Sequence, residues 1–230
     1  MTTEYYPIFL SLHERVCLVV GGGTVGERKI KGLLRAGATV RVVARDLTPW
    51  LEAQRGDGRI SLIGASYQAG HLDGAELVFA TTDDPELNRR IAAEARDRGL
   101  WCNMATDPAL GSFVVPSVVR RGPLSIAVST AGLSPAVAKL IREKLEEQFG
   151  PEWVGYLQFM GLLRTGIQSK GLDSSQNQAL FRRIAGLPLT EWIKSARKDQ
   201  AIEALREICH PWLSPDELNR FWNEIWKPFS

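Results

Sequence analysis

Val16-Cys17-Leu18-Val19-Val20-Gly21-Gly22-Gly23-Thr24-Val25-Gly26-Glu27 is the stretch that decides the fold. Its first five residues are apolar and valine-rich, as a strand buried on both faces requires. From Glu27 to Arg35 the spacing turns helical. Between them, Gly21-x-Gly23-x-x-Gly26 is a complete G-x-G-x-x-G placed between a strand and a helix. Each glycine has a physical task. Gly21 lets the chain turn out of the strand, Gly23 lets a pyrophosphate approach bare backbone, and Gly26 lets the helix pack closely on the sheet. The helix start adds free N–H groups and the positive end of its dipole.

Outward from this motif the α/β rhythm continues. Gly37 stands where a helix ending at Ala36 needs its C′ residue. A β-branched strand is expected over residues 39–44. Arg45 and Asp46 follow, at the point where a dinucleotide-binding fold meets the adenosine ribose. An acid there accepts from ribose hydroxyls and an arginine accommodates a 2′-phosphate, so this pair leaves NAD and NADP both open. A short helix is expected over 48–54, with strands over 59–63 and 76–80. The loop from Thr81 to Pro85 then lies at the carboxyl end of the sheet, beside a cofactor. Asp84 and Pro85 read as N-cap and first residue of a helix reaching residue 98. A fifth strand is expected over 100–103. The βαβαβ pattern over 15–110 predicts an α/β fold built on a Rossmann-like parallel sheet.

Beyond residue 110 the pattern changes. Two strands are expected, over 113–116 and 124–129, with a turn at Gly122-Pro123. Ser134 and Pro135 open a helix to residue 149, whose Val137, Leu140, Ile141, Leu145 and Phe149 recur at helical spacing. Gly150-Pro151 breaks the chain. Helices are then expected over 152–168, 175–185, 189–209 and 215–226, with the tryptophans there as packing residues. Three domains follow from this: 1–112, Rossmann-like; 113–150, a small β/α region; and 151–230, all helical.

Composition narrows the function. The 230 residues are 44% hydrophobic and 23% charged, ordinary for a globular protein, and the net charge of +2 gives no reason to expect a nucleic-acid or membrane partner. No apolar run is long enough to span a bilayer, and Met1 to Tyr6 lacks the basic and apolar regions of a secretion signal. A cytoplasmic location is therefore expected. Cys17, Cys102 and Cys209 are far apart, and His13, His71 and His210 are isolated, so no metal site is expected.

Specific matches then accumulate. Tyr6-Pro7-Ile8-Phe9-Leu10 precedes Cys17-Leu18-Val19-Val20-Gly21-Gly22-Gly23-x-Val25-x-Glu27-Arg28-Lys29. Further along stand Ala80-Thr81-Thr82-Asp83-Asp84 with Asn88, Cys102-Asn103, Ser112-Phe113-x-x-Pro116-Ser117, Arg121-x-Pro123-Leu124 and Ser134-Pro135-Ala136-x-Ala138. Over residues 6–149 the chain resembles the precorrin-2 dehydrogenase/sirohydrochlorin ferrochelatase family, which is also the N-terminal module of siroheme synthase. Residues 150–230 share only helical character with it.

The resemblance implies a 113–150 dimerisation and substrate region, a homodimer, and NAD-dependent oxidation of precorrin-2 to sirohydrochlorin. It extends to insertion of transient Fe²⁺ to give siroheme. By position it implies that Gly21, Gly23, Thr24, Val25, Gly26, Arg45, Asp46 and Thr81 bind the cofactor. Asn103, Ser112, Arg120, Ser129 and Arg142 would bind the tetrapyrrole, arginine suiting its carboxylates. The family places a catalytic aspartate three residues after the asparagine matching Asn103. Here Thr106 stands at that position and the acid, Asp107, comes one residue later, so both are candidate catalytic residues. Glycine is also usual where this chain has Ala131. The displaced acid leaves an alternative open: a dinucleotide-binding regulatory protein on the same scaffold, without turnover.

Overall fold

A computed structural model describes residues 4–104 and 106–226. Two compact units emerge: residues up to Val115 with Ala131–Leu133, and Pro116–Thr130 with residues from Ser134 onward.

The first unit is a five-stranded parallel sheet in the order β3-β2-β1-β4-β5. Its strands are β1 (Val16–Val20), β2 (Thr39–Val43), β3 (Ile60–Gly64), β4 (Leu77–Ala80) and β5 (Trp101–Met104). The order reverses between β1 and β4, the crevice at which such sheets bind ligands. Side chains alternate between the faces. Cys17, Val19, Val40, Val42, Leu77 and Phe79 pack with Ile30, Leu33 and Leu51, from α1 (Thr24–Arg35) and α2 (Pro49–Gly56). Leu18, Val20, Val78, Ala80 and Cys102 pack on the other face with Ile91, Ala92 and Ala95 of α3 (Pro85–Asp97). Burial on both faces is why these strands lack polar alternation. Between β3 and β4 the chain makes only a 3₁₀ turn, Ala69–Leu72.

The second unit begins with a hairpin, β6 (Ser117–Arg121) and β7 (Leu124–Val128), registered from Ser117↔Val128 to Arg121↔Leu124. Residues 113–116, expected as a strand, are not one. The hairpin closes through Gly122-Pro123, Gly122 lying at φ +55°, and draws pairing into 117–121. Phe113 turns edge-on to Phe79 instead, with centroids 5.5 Å apart. Next come α4 (Pro135–Gln148), α5 (Glu152–Gln168), α6 (Ser174–Ala185), α7 (Leu189–Lys194), α8 (Lys198–Cys209) and α9 (Pro215–Glu224). The single helix expected over 189–209 is two. Ala196 takes a left-handed φ of +53° and Arg197 N–H donates back to Trp192 O, ending α7. Phe159, Leu163, Ile167, Leu180, Ile184, Leu189 and Leu205 form the core here. Trp222 joins them edge-on to Phe159, while Trp226 stays 53% exposed. Among the described residues, no helix is long and apolar enough to cross a membrane.

Leu163 is fully buried. Leu163→Ala should destabilise the helical unit by about 2–5 kcal/mol, through lost transfer energy and the cavity left behind. Urea denaturation followed by tryptophan fluorescence checks this, and an unshifted midpoint would count against the packing described.

Candidate active site

The glycine turn is shaped by three backbone approaches. Gly21 has φ +118°, and a Cβ built on it would lie 2.6 Å from Thr81 O. A Cβ on Gly26, in the first turn of α1, would lie 2.2 Å from Gly21 O. A Cβ on Gly22 would lie 2.2 Å from Asp46 O and 2.8 Å from the Ala44 Cβ. No real side chain fits at such separations. Gly22 was not singled out by the motif, although three consecutive glycines were its signal. Gly23 differs from the others, since a Cβ there meets nothing within 4 Å. Gly23 is also the N-cap of α1 and makes no side-chain cap, so no cap side chain occupies the first N–H groups of the helix. Thr24 and Gly23 are exposed and Val25 half-buried. Open space over bare backbone at a 12-residue helix start fits a pyrophosphate, and the residues present suit a dinucleotide.

The loop after β2 is tied to this turn. Thr48 N–H donates to Gly22 O at 3.1 Å, and the Thr48 hydroxyl donates to the Glu27 carboxylate of α1. That hydroxyl also caps α2 by accepting from Leu51 N–H. Hydrogen bonds from Lys31 and Thr48 hold the Glu27 carboxyl below its usual range. Arg45 and Asp46, on the same loop, are exposed.

Thr81 is buried, and its hydroxyl donates to Val20 O at 2.9 Å. The structure thus gives this expected cofactor residue a place beneath the glycine turn, joining β4 to the end of β1. Asn88 of α3, fully buried, fixes the next loop. Its Oδ1 accepts from the Thr82 N–H and hydroxyl, and its Nδ2 donates to Thr82 O. A polar residue on the apolar face of α3, among Ile91, Ala92 and Ala95, was the readable sign of this role.

At the end of the edge strand β5, Asn103 is 4% exposed. Its Nδ2 donates to Phe113 O at 2.9 Å, which fixes the amide orientation because a flip would set two oxygens together. Its Oδ1 is buried and accepts from no described donor. A buried orphan acceptor is costly, so this atom calls for a donor from water or a ligand. Ser112 runs alongside, its hydroxyl accepting from Cys102 N–H at 2.7 Å and its own N–H donating to Cys102 O at 2.8 Å. Ser112 therefore closes the open edge of β5. Thr106 is exposed. Asp107 is half-buried, and its Oδ1 accepts from Ala109 N–H at the 3₁₀ turn Pro108–Leu110.

The remaining expected residues belong to the second unit. Arg142 is held by Glu146 at 2.6 Å and Glu143 at 3.3 Å. Arg120 is exposed and, among the described residues, its side chain donates to the Ser125 hydroxyl at 3.5 Å. Ser129 is exposed, in the loop before α4. Across that loop Ser134 N–H donates to the Thr130 hydroxyl, and Ala131 has φ +51°, a conformation that favours glycine. Among the described residues no three His, Cys, Asp or Glu side chains group to hold a metal. Burial pushes each thiol of Cys17, Cys102 and Cys209 up to about 11, so these sulfurs stay protonated at neutral pH.

Gly23→Asp separates the role of this turn from its stability. Gly23 already has extended N-cap backbone and a vacant Cβ direction, so an aspartate caps α1 and leaves the thermal midpoint unchanged or slightly raised. The same carboxylate repels a pyrophosphate, and affinity in a calorimetric NAD⁺ titration should fall at least ~100-fold. Unchanged affinity in a folded variant would remove the turn from the site. The native thiols should also resist Ellman's reagent at pH 7 until denaturant is added; prompt reaction would contradict their burial.

Two family models match in tandem. The model described as "Putative NAD(P)-binding" covers residues 8–117, and "Sirohaem biosynthesis protein central" covers 121–148. The siroheme synthase of Methylobacillus flagellatus is 34% identical over 205 residues, covering 89% of this chain and 44% of that protein. The siroheme synthase of Sodalis glossinidius is 39% identical over 213 residues, covering 90% and 44%. This chain thus spans under half the length of these relatives. Among solved structures, SirC, a precorrin-2 dehydrogenase, superposes with a TM-score of 0.70 at 27% identity, covering 96% of this chain and 98% of that one. With its glycine-turn domain and the central region after it both matched, the chain belongs to the sirohaem-biosynthesis family that these models describe, and it is similar to SirC and to part of the siroheme synthases.

Proposed function

We propose that this protein oxidises precorrin-2 to sirohydrochlorin, with NAD⁺ as hydride acceptor. The observation that carries the reading is the bare cradle at Gly23, on a sheet of Rossmann order, in a chain aligned with SirC along nearly its whole length. NAD⁺ supplies the redox chemistry when bound. The chain's part is to hold and orient. Gly21, Gly23, Thr24, Val25 and Gly26 receive the pyrophosphate side of the dinucleotide, and Arg45 and Asp46 its adenosine end. Thr81 keeps the turn in shape from below. The Asn103 Oδ1 takes a hydrogen bond from an N–H of the macrocycle, which satisfies its buried oxygen. Ser112 holds β5 while Asn103 does so. Arg120, Ser129 and Arg142 meet the carboxylates of the tetrapyrrole. Asp107 accepts the proton released as hydride leaves, a task for which the Thr106 hydroxyl is too weak a base.

Ferrous iron is read as cargo, inserted into sirohydrochlorin by the same protein. Homodimerisation is assigned to α4, which exposes Val137, Leu140 and Ile141 along one side. A cytoplasmic location is in keeping with three free cysteines.

Anaerobic incubation with enzymatically made precorrin-2 and NAD⁺, followed by absorbance, tests the reading. NADH and the sirohydrochlorin spectrum should appear together, and added Fe²⁺ should then give siroheme faster than without protein. Protein that binds NAD⁺ yet makes no NADH would overturn the proposal and favour a non-catalytic dinucleotide sensor. Asp107→Asn keeps an acceptor for Ala109 N–H but removes the base, so turnover should fall about 10²-fold or more with the fold intact. Wild-type rates in this variant would strip Asp107 of the role.

A further inference from the structure

We propose that Arg45 fits this site to a dinucleotide bearing a 2′-phosphate, so that NADP⁺ is accepted alongside NAD⁺. The proposal rests on the dinucleotide reading above and adds which adenosine end the chain can take. Arg45 is the second residue past β2. Its two chain neighbours both lie against the glycine turn, since a Cβ on Gly22 would meet the Ala44 Cβ at 2.8 Å and Asp46 O at 2.2 Å. Thr48, three residues on, is bonded to Gly22 O and to Glu27. The backbone carrying Arg45 is therefore fixed at the rim of the cradle.

Several other arginines of this unit are already paired. Within this unit Arg15, Arg55, Arg89, Arg90 and Arg98 each hold a carboxylate. Arg45 is exposed and, among the described residues, engages no hydrogen-bond or ion-pair partner. Glu27, the nearby acid on α1, is occupied by Lys31 and Thr48. Asp46, exposed and without a side-chain partner among the described residues, is left on this loop to accept from a ribose hydroxyl. Its repulsion of a phosphate is screened at an exposed rim, whereas a guanidinium binds phosphate through charge-assisted, two-pronged hydrogen bonds. Arg45, the first side chain past the buried Ala44, is thus suited to a 2′-phosphate.

Titrating the full chain with 5′-ADP, 2′,5′-ADP, NAD⁺ and NADP⁺ by calorimetry tests this without turnover. The wild type should bind 2′,5′-ADP at least as tightly as 5′-ADP. Arg45→Ala should lose about tenfold in affinity for 2′,5′-ADP relative to 5′-ADP, the scale of one charged hydrogen-bond pair. Asp46→Asn should shift the same ratio the other way. If NAD⁺ binds but the ratio does not move in Arg45→Ala, the proposal is overturned and the dinucleotide reading stands. If none of the four ligands binds, both fall.

Discussion

Everything at the carboxyl end of the sheet depends on how closely three backbone segments approach one another. The first turn of α1 sits on Gly21 O, Gly21 sits on Thr81, and Gly22 sits on the carbonyl of Asp46. Each contact is shorter than any side chain permits. The helix start is thereby brought to the crevice between β1 and β4, with no side chain capping it. Gly23 is the exception, since nothing among the described residues presses on it. Three glycines serve the fold, and the fourth leaves room for a ligand.

Side chains around the turn act mostly on backbone. Thr81 ties β4 to β1, Thr48 ties the β2 loop to Gly22 and Glu27, and Asn88 ties the β4 loop to α3. A binding surface made of main chain has no rotamers to order, but its loops must be held, and these polar contacts hold them. The two buried asparagines of this unit differ in a telling way. Asn88 meets Thr82 with both ends of its amide, whereas Asn103 meets Phe113 O with one end and nothing with the other. Identical chemistry, equally buried, is complete in the scaffold and incomplete at the end of β5.

The sheet was legible because its signals are local. A valine-rich run, a glycine turn and a helical period sit within twenty residues, and each repeat of the pattern lies within one βα unit. Strand and helix ends in residues 16–104 fall within a residue or two of expectation for the same reason. Where the sequence misled, a partner elsewhere decided. Residues 113–116 are apolar enough for a strand, but Phe113 was claimed by Phe79, and the hairpin's two-residue turn fixed pairing over 117–121. Nothing in Ser195-Ala196-Arg197 announces the break between α7 and α8, because alanine favours helix, yet Ala196 takes the left-handed cap position with its N–H on Ile193 O and the Arg197 N–H on Trp192 O. The orphan oxygen of Asn103 is likewise invisible in sequence, for it depends on where Phe113 lands. The arginines show the same limit: a count of basic residues does not reveal that Arg142 is neutralised by Glu143 and Glu146 while Arg120 is not.

The displaced acid is best judged by its lone pairs. Asp107 uses one oxygen to accept from Ala109 N–H, an ordinary turn contact that would account for its presence without chemistry. An ionised carboxylate, however, offers about four acceptor positions over two oxygens, so one N–H bond leaves further acceptor positions open. The turn contact even helps, since it fixes one oxygen and so restricts the position of the other. A threonine hydroxyl at 106 has no comparable basicity at neutral pH, whatever its geometry. Moving the acid by one residue therefore changes where a proton can be received, while the ability to receive it stays with this loop.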